Sequence, residues 1–261
     1  GGRNHNIVFP QPSFSMYHIY AKAAEAKVVT VDLDPKSYDL DIHGFVQKVN
    51  DSKASLAVIC NPNNPTGAVC DLDFFKKVYG TIGEILSMLV DINPELTCKL
   101  YLATITQFNL LKIKLDNLSE IYQNFIDEAI KILKDKITQS KQFEILTIAM
   151  GTLEQIKLIP EEKLLEICKT LMQISQGLFK RSDQCVAMIN CSKLFYGKIL
   201  KNKEMALECL GKAKKYADYA MTTPSNCILF VYIINQYVYL DLNIEDFDKL
   251  AKPDLINDLI E

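Results

Sequence analysis

Around residue 73 the apolar residues of this chain change their period, and that change decides what each side of it can fold into. Upstream, short β-branched or apolar runs alternate with helix-length stretches. Downstream, apolar residues recur at helical spacing almost to the end. The upstream run Ile7-Val8-Phe9 ends in Pro10-Gln11-Pro12, and Tyr17, Tyr20, Ala21 and Ala24 predict a helix over 16–26. A β-branched run over 27–33 is closed by a turn at Asp34-Pro35, a helix is expected over 42–50, and a last apolar run covers 55–60. Continuous apolar runs separated by helices belong to a parallel sheet covered on both faces. Residues 1–70 therefore read as an incomplete α/β (βαβαβ) fragment.

The downstream pattern predicts helices over 74–91, 94–113, 118–138, 140–158, 161–179, 183–199, 203–222 and 225–242, with a weaker one after Glu245. Asn93-Pro94, Ile159-Pro160-Glu161-Glu162 and Thr223-Pro224-Ser225 supply start and stop signals. Of 9 Pro and 10 Gly, 5 and 4 lie in residues 1–70, so turn punctuation thins where the helices are expected. Long helices joined by short turns form antiparallel neighbours. Residues 74–261 thus read as an α-solenoid of antiparallel helical hairpins, without a tight sequence repeat. Helix 225–242 is apolar nearly all round and belongs in the interior or against a partner. Gly151, inside a helical run, is expected to serve close helix packing.

Composition removes several function classes. With 29 Lys and Arg against 32 Asp and Glu, no basic excess is available for a nucleic-acid surface. His5, His18 and His43 are the only histidines, so no His base, His metal ligand or Ser–His pair exists downstream. No stretch approaches the ~20 apolar residues of a membrane span. The opening GGRNHN has neither Met nor a signal-like region and reads as an interior piece or a processed chain. The eight Cys form no CxxC and sit singly on apolar stretches, as buried, reduced thiols of a cytosolic protein would.

One short motif stands out. Asn61-Pro62-Asn63-Asn64-Pro65-Thr66-Gly67 follows the last strand directly, at the carboxyl edge of a parallel sheet where ligands of open α/β folds collect. With Val8-Phe9-Pro10-Gln11-Pro12-Ser13-Phe14-Ser15-Met16-Tyr17 and Ala26-Lys27-Val28-Val29 before it, this stretch resembles the fold-type I pyridoxal-phosphate aminotransferases of the histidinol-phosphate branch. The resemblance implies that Phe14 stacks on the cofactor ring and Asn64 bonds its phenolic oxygen, as vestigial cofactor contacts. The same family needs a downstream Schiff-base Lys in a Ser-x-Ser-Lys-like context, an Asp for the pyridine nitrogen, a Gly-rich phosphate loop and an Arg for the substrate carboxylate. None is found in its context. Asp91 reads as a helix-end acid, and the sole Arg after Arg3 is Arg181. Without that Lys no covalent cofactor is held. No catalytic residue, no metal ligand and no resident cofactor is expected, pyridoxal phosphate entering only if the fragment were completed.

The downstream residues resemble another family. Asp127-Glu128-Ala129-Ile130, Asp135-Lys136-Ile137-Thr138-Gln139-Ser140-Lys141-Gln142 and Ile148-Ala149-Met150-Gly151-Thr152-Leu153-Glu154 occur in order. Leu178-Phe179-Lys180-Arg181-Ser182-Asp183-Gln184-Cys185, Cys191-Ser192-Lys193-Leu194-Phe195, Ala206-Leu207-Glu208-Cys209-Leu210-Gly211-Lys212-Ala213 and 229–239 follow. Together they resemble the C-terminal half of the retromer large scaffold subunit, the vacuolar protein sorting 35 family. That resemblance implies a non-catalytic scaffold that docks the metallophosphoesterase-like retromer subunit in endosomal retrograde protein transport. It implies a cytoplasmic location, peripheral on endosomal membranes through the complex. The family's Pro-Arg-Leu-Tyr-Leu-type motif is not represented.

The two resemblances meet near 68–73 with no linker between them. The expectation is a chimera of two parts, 1–72 aminotransferase-like and 73–261 scaffold-like, arising as a gene-model fusion, a rearranged gene or an engineered join. The alternative function is that of an aminotransferase fragment, inactive for want of its Lys and Asp.

Overall fold

The computed structural model describes residues 5–70, 72–111, 118–156 and 158–243. In chain order the elements are β1 (Asn6–Gln11), α1 (Met16–Ala23), β2 (Lys27–Asp32), α2 (Ile42–Asp51), β3 (Leu56–Ala57) and α3 (Leu72–Leu89). They continue with α4 (Pro94–Leu111), α5 (Leu118–Asp135), α6 (Gln139–Gln155), α7 (Glu161–Gln176), α8 (Arg181–Phe195), α9 (Lys203–Ala220) and α10 (Ile228–Asn243), the last preceded by a 3-10 turn at Pro224–Cys227. The protein is mainly helical, with a small α/β piece in front, as the change of period predicts. Its contacts divide it into two units, residues 1–82 and 83–261, and the division falls inside α3.

In the first unit three parallel strands lie in the order β2-β1-β3. Val8 pairs with Val29 on one side and with Ala57 on the other. Successive side chains of β1 face opposite ways. Val8 packs with Ile42 and Phe45 of α2, while the ring of Phe9 meets Tyr17 at 5.6 Å and His18 at 4.8 Å on α1. Each face of the central strand is thus covered by one helix. The third strand is shorter than the apolar run 55–60 predicts, and β1 supplies the reason. Its even-numbered residues face β3, as the bonds Ser55 N–H to Asn6 O and Val58 N–H to Val8 O show. The next donor in that row is Pro10, which has no N–H, so the ladder stops.

In the second unit the even-numbered helices stack in sequence, α4 on α6, α6 on α8 and α8 on α10, with α5, α7 and α9 packed against them. Helix α9 turns Ala206, Cys209, Leu210, Ala213, Ala217 and Ala220 inward, a face of mostly small side chains that lets α8 approach closely. Expected helix ends overshoot by a few residues. The turns carry buried apolar side chains of their own (Ile137, Ile156, Ile159, Leu178, Leu200), so the hydrophobic pattern runs on after the backbone has left the helix.

Two further expectations are corrected. A Cβ built on Gly151 meets nothing within 4 Å, so close packing is not its reason. The thiols also divide. Cys98, Cys168, Cys185, Cys191 and Cys209 are buried, whereas Cys60 and Cys70 are half-buried and Cys227 is exposed. The first group sits on inward helix faces; Cys60 and Cys70 flank a surface loop, and Cys227 closes the 3-10 turn. Asp91 lies in the turn after α3 and pairs with Lys136. The helix expected after Glu245 lies outside the described residues. No helix among the described residues is long and apolar enough to cross a membrane.

Candidate functional site

Two concave surfaces deserve comparison, one in each unit. The first lies at the carboxyl edge of the small sheet, a cavity of ≈ 110 Å³ lined in part by Tyr38, Asp39, Cys60, Asn63 and Cys70. Its rim is the motif loop, and the asparagines of the motif hold that loop together. Asn63 is buried and donates through Nδ2 to Pro12 O at 3.0 Å and Thr66 Oγ1 at 2.8 Å, while its Oδ1 accepts from Ser13 Oγ at 3.1 Å. Asn61 Oδ1 accepts from the Cys70 backbone N–H at 2.9 Å. The main chain closes through Gly67 N–H to Asn63 O at 2.7 Å, with Gly67 at φ +74°, a conformation glycine adopts without strain. Nearby, the Cys60 thiol hydrogen-bonded to Tyr17, together with burial, raises the Tyr17 phenol above its ordinary value.

The Ser13–Asn63 bond pins the neighbours of Phe14 and Asn64 to each other. Neither Phe14 nor Asn64 lines the cavity, however. Phe14 is 37% exposed, its edge against Tyr17 at 5.5 Å, and Asn64 is exposed on the loop. The charged group in the lining is the carboxylate of Asp39, and no Lys or Arg joins it. A phosphorylated pyridine needs cations or a cradle of N–H donors, so these residues do not fit that group.

The second surface is a groove of ≈ 500 Å³ between α6, α8 and α10. Glu154 comes from α6, Asn190 and Lys193 from α8, and Tyr232, Asn235, Gln236 and Tyr239 from α10. Helix α10 is apolar on two faces. Leu229, Ile233 and Leu240 are buried, while Ile228, Val231, Tyr232, Val238, Tyr239 and Leu242 are exposed. Exposed side chains at 228, 231, 232, 235, 239 and 242 follow the i, i+3, i+4 rule of one helical stripe. Among the buried residues stands Gln236, 3% exposed, whose Nε2 has no hydrogen-bond partner. Sequence reasoning took α10 as apolar and passed over this residue. The available signal was a carboxamide three residues after Ile233 and four before Leu240, a polar group at a core position.

A stack of helical hairpins whose last described helix lines an apolar, carboxamide-bearing groove defines a helical-repeat scaffold, a class whose extended concave surfaces bind other chains. The family model described as vacuolar protein sorting-associated protein 35 matches residues 19–261. The chain belongs to that family. It is similar to vacuolar protein sorting-associated protein 35C of Arabidopsis thaliana, 24% identical over 200 residues that cover 71% of this chain and 24% of that protein. Protein 35B of the same plant is 27% identical over 198 residues, again 71% of this chain and 24% of the relative. A separate similarity joins a short segment to histidinol-phosphate aminotransferase of Caldanaerobacter subterraneus subsp. tengcongensis, 43% identical over 65 residues, 25% of this chain and 18% of that enzyme. The chain spans about a quarter or less of these relatives' length.

Proposed function

We propose that this chain is a non-catalytic scaffold segment of the retromer large-subunit type, which docks the metallophosphoesterase-like retromer subunit in endosomal retrograde protein transport. The observation that carries the reading is the stack α4-α6-α8-α10, whose last described helix carries a second, exposed apolar stripe. Exposed apolar stripes of this length mark binding surfaces. On this reading the chain works in the cytoplasm, held peripherally on endosomes through its complex. A titration of the purified metallophosphoesterase-like subunit into the full chain tests it. Saturable binding at micromolar concentrations is the expected result, and none at that concentration overturns the reading.

The upstream piece, 1–72, is in this proposal a partial aminotransferase-like fragment, and 73–261 is the scaffold part. Phe14 and Asn64 are then vestigial cofactor contacts, consistent with the loop asparagines Asn61 and Asn63 being engaged in holding the loop. The short similarity to the aminotransferase supports a shared ancestry for this piece rather than its chemistry. Added pyridoxal phosphate is expected to keep the spectrum of the free cofactor; a shifted visible band made permanent by borohydride would refute this part.

A further inference from the structure

Arg181, at the start of α8, is held in place by three side chains. Its Nη1 donates to Gln184 Oε1 at 2.8 Å, and Gln184 is itself bonded to Gln176 O and Leu178 O where α7 ends. Its guanidinium carbon lies 5.9 Å from the ring centroid of Tyr216 and 5.8 Å from that of Tyr219, both on α9, within reach of a cation–π contact. Arg181 stays exposed all the same, and it makes no ion pair among the described residues. A free arginine loses much rotamer freedom when it captures a ligand; here most of that ordering precedes any ligand.

Lys212, Lys215, Tyr216 and Tyr219 follow the i, i+3, i+4, i+7 spacing of one face of α9. Tyr219 is 65% exposed, and Tyr216 is half-buried. Lys212 is paired with Glu208 at 2.7 Å, whereas Lys215 is exposed and, like Arg181, pairs with no acid among the described residues. Asp218 falls off this face by its spacing from Tyr216 and Tyr219, and Asp183 stands two residues from Arg181, a separation that does not face it. In the turn before α8, Phe179 is 80% exposed. The face thus joins two uncompensated positive charges to exposed aromatic surface, on a chain of formal net charge −3. Its complement is a negative group beside apolar surface, and arginine and tyrosine are residues in which binding energy concentrates. Two cations fall short of the cluster of about four to eight that selects an anionic membrane. A single carboxylate needs only one planar guanidinium fork.

We infer that Arg181 and this face of α9 form a recognition site for an acidic segment of a partner polypeptide. An aspartate or glutamate side chain of that segment pairs with the Arg181 guanidinium, Lys215 attracts the segment by its charge, and an aliphatic neighbour of the acid lies on the Tyr219 ring. The inference goes beyond the scaffold reading, which rests on the helical stack and α10, and it is tested separately from it.

The test uses the full chain and a short end-capped peptide in which Glu and Leu alternate, with the same peptide carrying Gln for Glu as the uncharged control. Isothermal titration reports affinity, and the Arg181 Nε–H NMR signal reports contact. The expected result is saturable binding of the acidic peptide by millimolar concentration, with a shifted Arg181 signal. The Gln control and the Arg181→Gln variant are each expected to bind roughly tenfold more weakly, the worth of one charge-assisted pair. Tyr219→Ala and Lys215→Gln, at exposed positions, are companion variants expected to weaken binding several-fold with an unchanged melting temperature. Binding is also expected to fall as salt is raised, because the site is exposed. Equal binding of the acidic and Gln peptides, binding that survives Arg181→Gln and Tyr219→Ala, or no binding of the acidic peptide at millimolar concentration overturns the inference. Capture of the chain by vesicles of phosphatidylcholine and phosphatidylserine that Arg181→Gln abolishes, without peptide binding, assigns the face to a membrane surface and overturns it as well.

Discussion

Replacing Gln184 with Met should remove a large part of the stability of the helical unit, although Gln184 touches no proposed ligand. The residue lies in the first turn of α8 and is 3% exposed. Its Nε2 donates to Gln176 O at 2.7 Å and to Leu178 O at 2.8 Å, and its Oε1 accepts from Arg181 Nη1 at 2.8 Å. Gln176 ends α7, so the side chain satisfies carbonyls left over where that helix stops. Methionine keeps the volume and supplies no donor. The buried carbonyl of Leu178 and the part-buried one of Gln176 lose their partner at about 1–3 kcal/mol each, and taking the lower part of that range gives a loss of about 2–4 kcal/mol. Arg181 keeps its positions 5.9 Å and 5.8 Å from the rings of Tyr216 and Tyr219, so its charge is not stranded. Urea titration of the full chain, followed by far-ultraviolet circular dichroism, measures the change; heating should show a fall of roughly 5–15 °C in the helical transition. Gln184→Glu sharpens the test. Its carboxylate still accepts from Arg181 but sets negative oxygens against two carbonyls, so it should be worse than Met. A Met variant within about 0.5 kcal/mol of the parent, or a Glu variant more stable than Met, would refute the reasoning.

Gly151→Ala should stabilise the helical unit by about 0.5–1 kcal/mol, because the new Cβ meets nothing within 4 Å and Ala restricts the unfolded chain; a lower urea midpoint would count against it. Burial pushes the thiols of Cys98, Cys168, Cys185 and Cys191 up to about 12, so brief maleimide treatment around pH 8 should leave them intact and label exposed Cys227, read by peptide mass spectrometry. Labelling of the four at the Cys227 rate would sink this assignment. The backbone N–H groups of Ser37 and Lys36 hold the Asp34 carboxyl below its ordinary value. A lowered folded value means that its stabilisation is complete above the unfolded carboxylate range and is lost as pH falls through the folded value. Asp34→Asn should therefore reduce the stability of the first unit at neutral pH and flatten its acid limb, followed by tyrosine fluorescence; identical acid limbs would contradict it.

Much of this was legible from particular residues. The i, i+3, i+4 spacing located the helices of the second unit because burial on a helix acts through its 3.6-residue period. It misplaced their ends because Leu178 and Leu200, in turns, are buried as deeply as helix residues. The motif loop follows the last strand as expected in order, though not directly, since β3 ends at Ala57 and the motif begins at Asn61. The engagement of Asn63 in holding that loop was not legible, because it depends on Pro12 and Ser13, some fifty residues away.

The linear pattern by itself determined the class of each unit: β-branched runs between helices specify a parallel sheet, and an unbroken helical period specifies hairpins. It also carried the blocks that place the chain in its family. Only the tertiary structure decided which polar groups are engaged and which are left over. Gln184 and Gln236 are the same residue type on neighbouring helices, both buried, yet one staples two carbonyls and the other leaves its Nε2 donor unused. Periodicity reports which face of a helix turns inward, whereas a hydrogen bond needs a partner at a definite distance and angle. That partner is supplied by another helix end, and its position exists only once the layers have stacked.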